Sequence, residues 1–210
     1  MHKEKSLFIT FEGIEGSGKS YQSLKLFRKI KSMKLPVIYT REPGGSHGAE
    51  KIRKIILTGS KSKFTKVTDT LLYLAARNEH VEKTLIPAIS KKKNIVCDRF
   101  LDSTLAYQVY GEGVNKTFVD FVHKKILGNI KPDLTFILKL NLNKAFQRVN
   151  KRKYKNRYDK FPVDFYRKIQ NAFKKIAKTN KKRYVVLDTS KDTLKTEKMI
   201  FEKFIEVLNK

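Results

Sequence analysis

Several features are scarce or missing in this 210-residue chain. Cys97 is the single cysteine, which excludes an intrachain disulfide framework. The sequence has no run of 18 consecutive apolar residues, and its first residues lead directly into a short apolar segment without a separate signal-peptide core. We therefore expect a cytoplasmic protein with no membrane-spanning helix.

Acidic residues are scarce relative to basic ones. The chain has 20 aspartates and glutamates against 47 lysines and arginines, which gives a formal net charge of +27 at pH 7. The lysines are scattered, and no aromatic signature of RNA recognition accompanies them. This distribution predicts a solvated, lysine-rich surface that binds nucleic acid only non-specifically, through its charge at low salt.

The overall composition is typical of a globular protein. Hydrophobic residues make up 40% of the chain and charged residues 32%, and this balance does not favour disorder. A chain of this length can bury one good hydrophobic core. We therefore predict a single domain over residues 1–210.

A glycine-rich segment near the N-terminus is the most informative part of the sequence. It consists of Gly13, Ile14, Glu15, Gly16, Ser17, Gly18, Lys19 and Ser20. An apolar run precedes it and a helical periodicity follows it, as in the strand–loop–helix motif that binds phosphates. Glycines let backbone N–H groups turn toward an anion at a helix N-terminus. The motif predicts a nucleotide-binding loop, with Lys19 at the terminal phosphates and Ser20 at Mg²⁺.

Apolar runs alternate with helical periodicities along the chain. The predicted strands are residues 7–12, 36–41, 94–98, 134–140 and 183–188, and the predicted helices are about 18–33, 47–58, 66–92, 103–111, 116–128, 142–152, 163–179 and 193–209. The strands read as continuous apolar runs, as strands buried on both faces do. We predict a three-layer α/β fold with a five-stranded parallel sheet flanked by helices, which binds ligands beyond the carboxyl ends of the strands.

Charged residues follow two of these strands. Pro43 and two glycines come after the second strand, ahead of a helix that carries Arg53. Asp98 ends the apolar third strand, as the Walker B aspartate that lies near Mg²⁺ does in P-loop proteins. Arg99 follows it directly. Arginine binds phosphate with two parallel hydrogen bonds. These segments predict one phosphate-rich site, with Ser20 and Asp98 as candidate metal ligands.

Six segments together resemble the thymidylate kinase family, whose members transfer the γ-phosphate of ATP to dTMP. They are Phe11–Ser20, Thr40–Gly45, Leu71–Arg77 with His80, Asp98–Gln108, Lys131–Leu134 and Asn156–Asp159. The resemblance covers nearly the whole chain. It implies a P-loop nucleoside-monophosphate kinase fold, ATP and dTMP as substrates, Mg²⁺ as the cofactor, and a homodimer.

The resemblance also implies which residues bind the acceptor. They are Glu15, Pro43, Arg53, Tyr73, Arg77, Arg99, Ser103, Thr104, Tyr107 and Gln108. By this resemblance Arg53 and Arg99 bind the dTMP phosphate, with the Pro43 turn shaping that wall. Tyr73 stacks on the thymine ring, at a position where the family more often has phenylalanine.

The other acceptor residues have further implied roles. Arg77 donates to a thymine carbonyl, while Thr104 and Gln108 face the edge of the base. Glu15 binds the 3′-hydroxyl of the sugar. Tyr107 crowds the 2′ position and so selects deoxyribose.

Residues 148–160 are the expected lid. The implied catalytic residues are Lys19, Arg99 and Glu15, together with the lid arginines Arg148, Arg152 and Arg157. The phosphate loop contains no arginine, so the resemblance implies that lid arginines stabilise the transferring phosphoryl group. The sequence leaves open which of the three is critical.

Simpler interpretations remain open for several of these residues. Tyr73 could be an ordinary helix-core residue, and Thr104 and Gln108 could be solvated polar positions. The lid arginines could belong to a charged, solvated helix end. His80 matches the family, but we interpret it as structural.

Two other functions also fit a phosphate loop. A deoxynucleoside kinase would phosphorylate a neutral hydroxyl and would need a carboxylate base, for which Glu15 is the candidate. A P-loop switch or a nucleic-acid-stimulated ATPase would need no monophosphate acceptor. Arg53 and the Pro43 turn favour an anionic acceptor over a neutral hydroxyl. For the P-loop switch, residues 129–133 superficially resemble a guanine-specificity motif, but Ile130 breaks its Asn-Lys adjacency.

Overall fold

Five parallel strands form one sheet in the part of the chain that the structure describes. A computed structural model describes residues 6–60, 62–151, 153, 156–190 and 192–210. The strands are β1 (Phe8–Glu12), β2 (Val37–Arg41), β3 (Asn94–Asp98), β4 (Leu134–Lys139) and β5 (Tyr184–Asp188), in the spatial order β2-β3-β1-β4-β5. The predicted fold class is confirmed, and each strand begins and ends within one residue of its predicted bounds.

Helices flank the sheet on both faces. They are α1 (Lys19–Ser32), α2 (His47–Leu57), α3 (Lys66–His80), α4 (Ile86–Ser90), α5 (Leu101–Thr104), α6 (Lys116–Leu127), α7 (Leu142–Asn150), α8 (Val163–Ala177) and α9 (Thr193–Leu208). The predicted helix 66–92 differs from the structure, because a π-helical segment, Val81–Leu85, separates α3 from α4. Pro87 has no N–H to donate, which interrupts the α-helical ladder there. A second π-helical segment, Leu105–Gly111, continues α5 and carries Tyr107 and Gln108.

Polar side chains fix the starts of several helices. The side chains of Ser46, Thr65 and Asn115 accept hydrogen bonds from backbone N–H groups in the first turns of α2, α3 and α6. These bonds satisfy donors that a helix leaves unpaired at its N-terminus. Each of the three helices therefore begins where the sequence predicts.

The central strand β1 is buried on both faces. Ile9 and Phe11 pack in a cluster with Phe204 of α9 on one face of the sheet. Phe8, on the other face, lies edge-to-face with Phe100 at a centroid distance of 4.9 Å. Because both faces are covered by helices, β1 reads as a continuous apolar run.

The strand register brings the predicted site segments to one edge of the sheet. Asp98 of β3 pairs with Phe11 of β1 and with Arg41 of β2. The phosphate loop, the turn after β2 and Arg99 therefore all leave the sheet at neighbouring carboxyl ends. Within the described residues, no helix combines the length and the apolar character needed to cross a membrane.

Candidate active site

The phosphate loop leaves β1 and ends where α1 begins. Gly13, Gly16 and Gly18 have φ angles of 139°, 76° and 91°, in the region that favours glycine. A Cβ atom at Gly13 would lie 2.5 Å from the carbonyl oxygen of Leu138. The loop therefore needs glycine both for its backbone conformation and for its close approach to β4.

Lys19 lies within this loop. Its Nζ donates to the carbonyl oxygen of Ile14 at 2.7 Å, and its side chain is buried. Burial, together with the nearby charge of Arg99, lowers the pKa of Lys19 to about 7. An anion in the loop would favour the charged form of the amine. The position of Lys19 therefore suits an amine that becomes fully charged when it pairs with a bound phosphate.

Ser20 and Asp98 meet at the start of α1. The Ser20 hydroxyl donates to Asp98 Oδ2, while the buried Oδ1 atom of Asp98 has no hydrogen-bond partner. Among the described residues, no group of three or more His, Cys, Asp or Glu side chains is placed to hold a metal ion by itself. Mg²⁺ is commonly held by one or two carboxylates plus substrate phosphates. The unpartnered oxygen and the adjacent hydroxyl therefore fit a Mg²⁺ ion bound together with a nucleotide.

A cavity of about 240 Å³ opens beside the phosphate loop at the carboxyl ends of β1, β2 and β3. All ten residues that the sequence assigned to the acceptor line it, as do Lys19, Ser20 and Asp98. Residues from four separate segments of the chain thus meet in one place, next to the phosphate loop.

Arg99 lies between the phosphate loop and this cavity. Its Nη2 donates to Glu15 Oε1 at 2.8 Å, and its Nη1 donates to the carbonyl oxygen of Gly13 at 3.0 Å. Glu15 Oε2 accepts from the Tyr107 hydroxyl at 2.5 Å. Burial alone would raise the pKa of Glu15, but Arg99 and Lys19 lower it below its ordinary value. Glu15 is therefore an ionised carboxylate that orients Arg99.

A second arginine borders the same cavity. Arg53 Nη1 donates to the carbonyl oxygen of Pro43 at 2.6 Å. Beside it, Glu50 accepts from the Arg41 guanidinium and from the backbone N–H of Gly45. The turn after β2 is thereby tied to α2, and it presents Arg53 to the cavity.

Arg77 is anchored by partners that the sequence did not reveal. Its Nε donates to Glu42 Oε2 at 2.8 Å, and its Nη1 lies 2.9 Å from Thr104 Oγ1 and 2.6 Å from His123 Nε2. Its Nη2 also lies 2.7 Å from Glu42 Oε2. His80 Nδ1 lies 2.9 Å from Glu42 Oε1, and the ring is fully buried, in keeping with a structural role.

Comparisons with known proteins decide the family of this chain. The family model for thymidylate kinase matches residues 11–200. The chain belongs to the thymidylate kinase family.

Individual family members are similar over most of this chain. It is 35% identical over 210 residues to the thymidylate kinase of Pelotomaculum thermopropionicum, covering 96% of this chain and 97% of that protein. It is 42% identical over 174 residues to the thymidylate kinase of Wolbachia pipientis wMel, covering 81% of this chain and 85% of that protein. The crystal structure of the Ehrlichia chaffeensis thymidylate kinase gives a TM-score of 0.77 at 31% identity, covering 97% of this chain and 99% of that chain.

Two of the three arginines expected in a lid lie in different places. Arg148 Nη1 donates to the carbonyl oxygen of Gly16 at 3.1 Å, where a second cavity of about 560 Å³ lies along the phosphate loop. Arg157 is buried in an ion pair with Asp69 of α3. Arg152 lies outside the described residues. Sequence spacing grouped these arginines, and the structure separates Arg148 from Arg157.

Glu12 is a buried site residue that sequence reasoning missed. The oxygens of its carboxyl group accept from the backbone N–H of Phe100 at 2.8 Å and from the Ser103 hydroxyl at 2.5 Å. Burial, reinforced by the charge of Asp102, raises the pKa of Glu12 to about 8. These bonds hold the turn in which Arg99 has a φ of 71°. The available signal was an acidic residue at the end of an otherwise apolar strand.

Proposed function

We propose that this chain transfers the γ-phosphoryl group of ATP to the 5′-phosphate of dTMP, giving ADP and dTDP, with Mg²⁺ bound beside the phosphate loop. Members of its family phosphorylate thymidylate. The observation that carries the proposal is the single cavity that gathers all ten expected acceptor residues beside Lys19, Ser20 and Asp98.

The donor nucleotide binds along the phosphate loop and the second cavity. Backbone N–H groups of the loop and the N-terminus of α1 hold the phosphates. Lys19 contacts the terminal phosphates, and Arg148 approaches them from α7. Ser20 and Asp98 would hold Mg²⁺, which would neutralise charge on the donor phosphates.

The acceptor binds in the first cavity. Arg99 and Arg53 bind its phosphate, and Tyr73 stacks on the thymine ring. Arg77 has five N–H groups, and its bonds to Glu42, Thr104 and His123 use four of them. The fifth, on Nη2, is left for a thymine carbonyl.

The sugar binds nearer the phosphate loop. Glu15 accepts from the 3′-hydroxyl, and the Tyr107 ring occupies the space beside the 2′ position. Gln108 faces the edge of the base from the π-helical segment Leu105–Gly111.

The reaction needs no general base. The second pKa of a phosphate monoester is about 6, so the acceptor is already an anionic nucleophile at pH 7. The difficulty is to bring two anions together in line, which requires charge neutralisation and alignment. Lys19 and Arg99 lie on the two sides of the reacting groups and supply that positive charge. A neutral hydroxyl acceptor is disfavoured, because Glu15 is an ionised partner of Arg99 with a lowered pKa and hence a weak base.

We also propose a cytoplasmic homodimer. ATP, the proposed donor, is a cytoplasmic metabolite. Val67 and Leu71 lie one turn apart on α3, and about half of each side chain is exposed. An apolar pair on an exposed helix face suits burial against a second copy. Sedimentation of the wild type and of a Leu71→Asp variant tests this, because a monomeric wild type contradicts it.

The acceptor is tested by measuring ADP formation from ATP·Mg²⁺ with a panel of possible acceptors. The panel contains dTMP, dUMP, dCMP, dGMP, AMP, thymidine and a reaction without acceptor. We expect strong turnover with dTMP, weaker turnover with dUMP and little with the others. Turnover with thymidine would move the chemistry to a hydroxyl, and turnover without an acceptor would indicate an ATPase, to be tested next with DNA.

A further inference from the structure

On the basis of the proposed function, we infer that Asp69 and Arg157 are positioning residues of the acceptor site. They hold Tyr158 as a wall of the cavity that binds dTMP. Arg157 therefore acts on dTMP affinity through Tyr158, whereas Arg148 acts at the donor phosphates.

Asp69 uses both of its carboxylate oxygens for this purpose. It lies in the first turn of α3, and 3% of the residue is exposed. Its Oδ1 accepts from Arg157 Nη2, and its Oδ2 accepts from the Tyr158 hydroxyl at 2.8 Å. Tyr73, the residue expected to stack on thymine, follows one turn later on the same helix. A single carboxylate thus fixes two neighbouring side chains relative to the base-stacking residue.

Tyr158 forms part of the cavity wall. Its ring lies edge-on to Tyr73 and to Tyr107, at centroid distances of 6.1 and 5.9 Å. It stacks on Phe161 at 5.5 Å. These contacts leave the ring beside both the proposed base-stacking residue and the proposed sugar-contacting residue. A change in its orientation would alter the shape of the cavity at both places.

Within the described part of the chain, Arg157 bonds to Asp69 and Tyr158 and makes no bond to the phosphate loop. Its Nη2 donates to the Tyr158 hydroxyl at 3.2 Å in addition to Asp69, and its guanidinium lies 5.0 Å from the centre of the Tyr158 ring. The residue is 3% exposed. Removing one partner of a buried ion pair leaves an uncompensated charge, so the pair behaves as a unit. Loss of either partner would release Tyr158.

The same contacts link the end of the lid to the acceptor site. A short 3₁₀ helix, Arg157–Lys160, follows Asn156, whose side chain accepts from the backbone N–H groups of Tyr158 and Asp159. The Tyr158 carbonyl oxygen accepts from the Tyr166 hydroxyl of α8 at 2.5 Å. The end of the lid segment is therefore anchored to α3 and α8 beside the acceptor cavity, whereas Arg148 contacts the phosphate loop.

The test compares Asp69→Asn, Arg157→Ala and Tyr158→Phe with Arg148→Ala as the matched lid-arginine control. Titration calorimetry with dTMP alone measures acceptor affinity, and steady-state assays separate the two KM values from kcat. We expect the first three variants to weaken dTMP binding about tenfold or more, because each leaves a buried polar group unpaired. Their KM for ATP should change less than about twofold. The double variant with Asp69→Asn and Arg157→Ala should bind dTMP no more weakly than whichever single variant binds it more weakly, because the two residues act as a pair. Arg148→Ala should lower kcat and leave dTMP affinity unchanged.

Two outcomes would overturn the inference. One is an Arg157→Ala variant with unchanged dTMP affinity and a kcat reduced by orders of magnitude, which would place Arg157 at the phosphoryl group. The other is unchanged dTMP affinity in both Asp69→Asn and Tyr158→Phe. Tyr158→Phe keeps the ring and removes only the hydroxyl, so it remains informative if a charge variant does not fold. The wild-type measurements test the proposed function separately. A wild type that neither binds nor phosphorylates dTMP would contradict that function and not the positioning role.

Discussion

Glu15 and Arg99 form an ion pair across the edge of the acceptor cavity, with 2.8 Å between Glu15 Oε1 and Arg99 Nη2. Glu15 lies in the phosphate loop and Arg99 follows β3, so the pair connects the proposed donor and acceptor halves of the site. The bond from Arg99 to the carbonyl oxygen of Gly13 makes the same connection. The guanidinium is therefore oriented before a phosphate arrives, which is the preorganisation that phosphoryl transfer requires.

Replacing Arg99 tests this orientation. Arg99→Ala should lower kcat/KM for dTMP by about 10²–10³, because it removes charge stabilisation between two phosphates. Arg99→Lys keeps the charge but loses the planar fork, and should recover only part of the activity. ATP affinity should change little in both. Arg167→Ala, which removes an exposed arginine on α8, is the control, and equal losses at positions 99 and 167 would contradict the assigned role.

Asp98 provides a prediction about Mg²⁺. Asp98→Asn should raise the Mg²⁺ concentration needed for half-maximal activity by about tenfold or more, because the unpartnered Oδ1 belongs to a charged carboxylate. The measurement is activity against Mg²⁺ concentration at fixed ATP. Asp188→Asn is the matched control, since Asp188 ends β5 and is exposed. An unaltered Mg²⁺ dependence in Asp98→Asn would remove Asp98 from the metal site.

The glycine requirement of the phosphate loop gives a prediction about stability. Alanine at Gly13 and at Gly18 carries a backbone penalty of about 1–3 kcal/mol, because both have positive φ angles. At Gly13 the added Cβ would also overlap the carbonyl oxygen of Leu138, whereas nothing lies within 4 Å of a Cβ at Gly18. Gly13→Ala should therefore lower the free energy of unfolding more than Gly18→Ala. Urea denaturation measures the two free energies of unfolding. A larger loss in Gly18→Ala than in Gly13→Ala would refute the prediction.

His123 predicts how stability depends on pH. Burial, together with the charge of Arg77, lowers the pKa of His123 from 6.5 to about 3. Between these values the unfolded chain binds a proton that the folded protein does not, so the contribution of His123 to stability is present above pH 6.5 and is lost as the pH falls toward 3.

The matching variant is His123→Gln, which keeps an acceptor for Arg77 but cannot ionise. The difference in unfolding free energy between wild type and variant should change with pH by up to about 1.4 kcal/mol per unit over that range. Denaturation at several pH values measures it. Parallel pH profiles for the two proteins would show that His123 does not titrate in this way.

Much of the fold could be predicted because each strand is marked by its own residues. Runs such as Ile95–Cys97 are buried on both faces, so they are continuously apolar and short enough to be recognised. Parallel topology then predicts that Glu15, Arg53 and Arg99 gather at one edge, although they are far apart in sequence. The π-helical segments were not predictable, since widened turns follow from tertiary packing and leave no distinct period.

The contacts that complete the site were not predictable from sequence. Arg157 and Asp69 are 88 residues apart, and Arg77 and His123 are 46 apart. A charged residue on a helix does not reveal whether its partner is water or another buried side chain. For this reason the sequence grouped Arg157 with Arg148 as lid arginines, and only the fold shows which of them is buried.

The most direct test of the proposed reaction is to follow the transferred phosphoryl group itself. ATP labelled at the γ-phosphate is incubated with Mg²⁺, dTMP and the protein, and the labelled products are separated and identified. The account predicts that the label appears in the β-phosphate of dTDP, in an amount equal to the ADP formed. Label found only in inorganic phosphate, with dTMP unchanged, would contradict it.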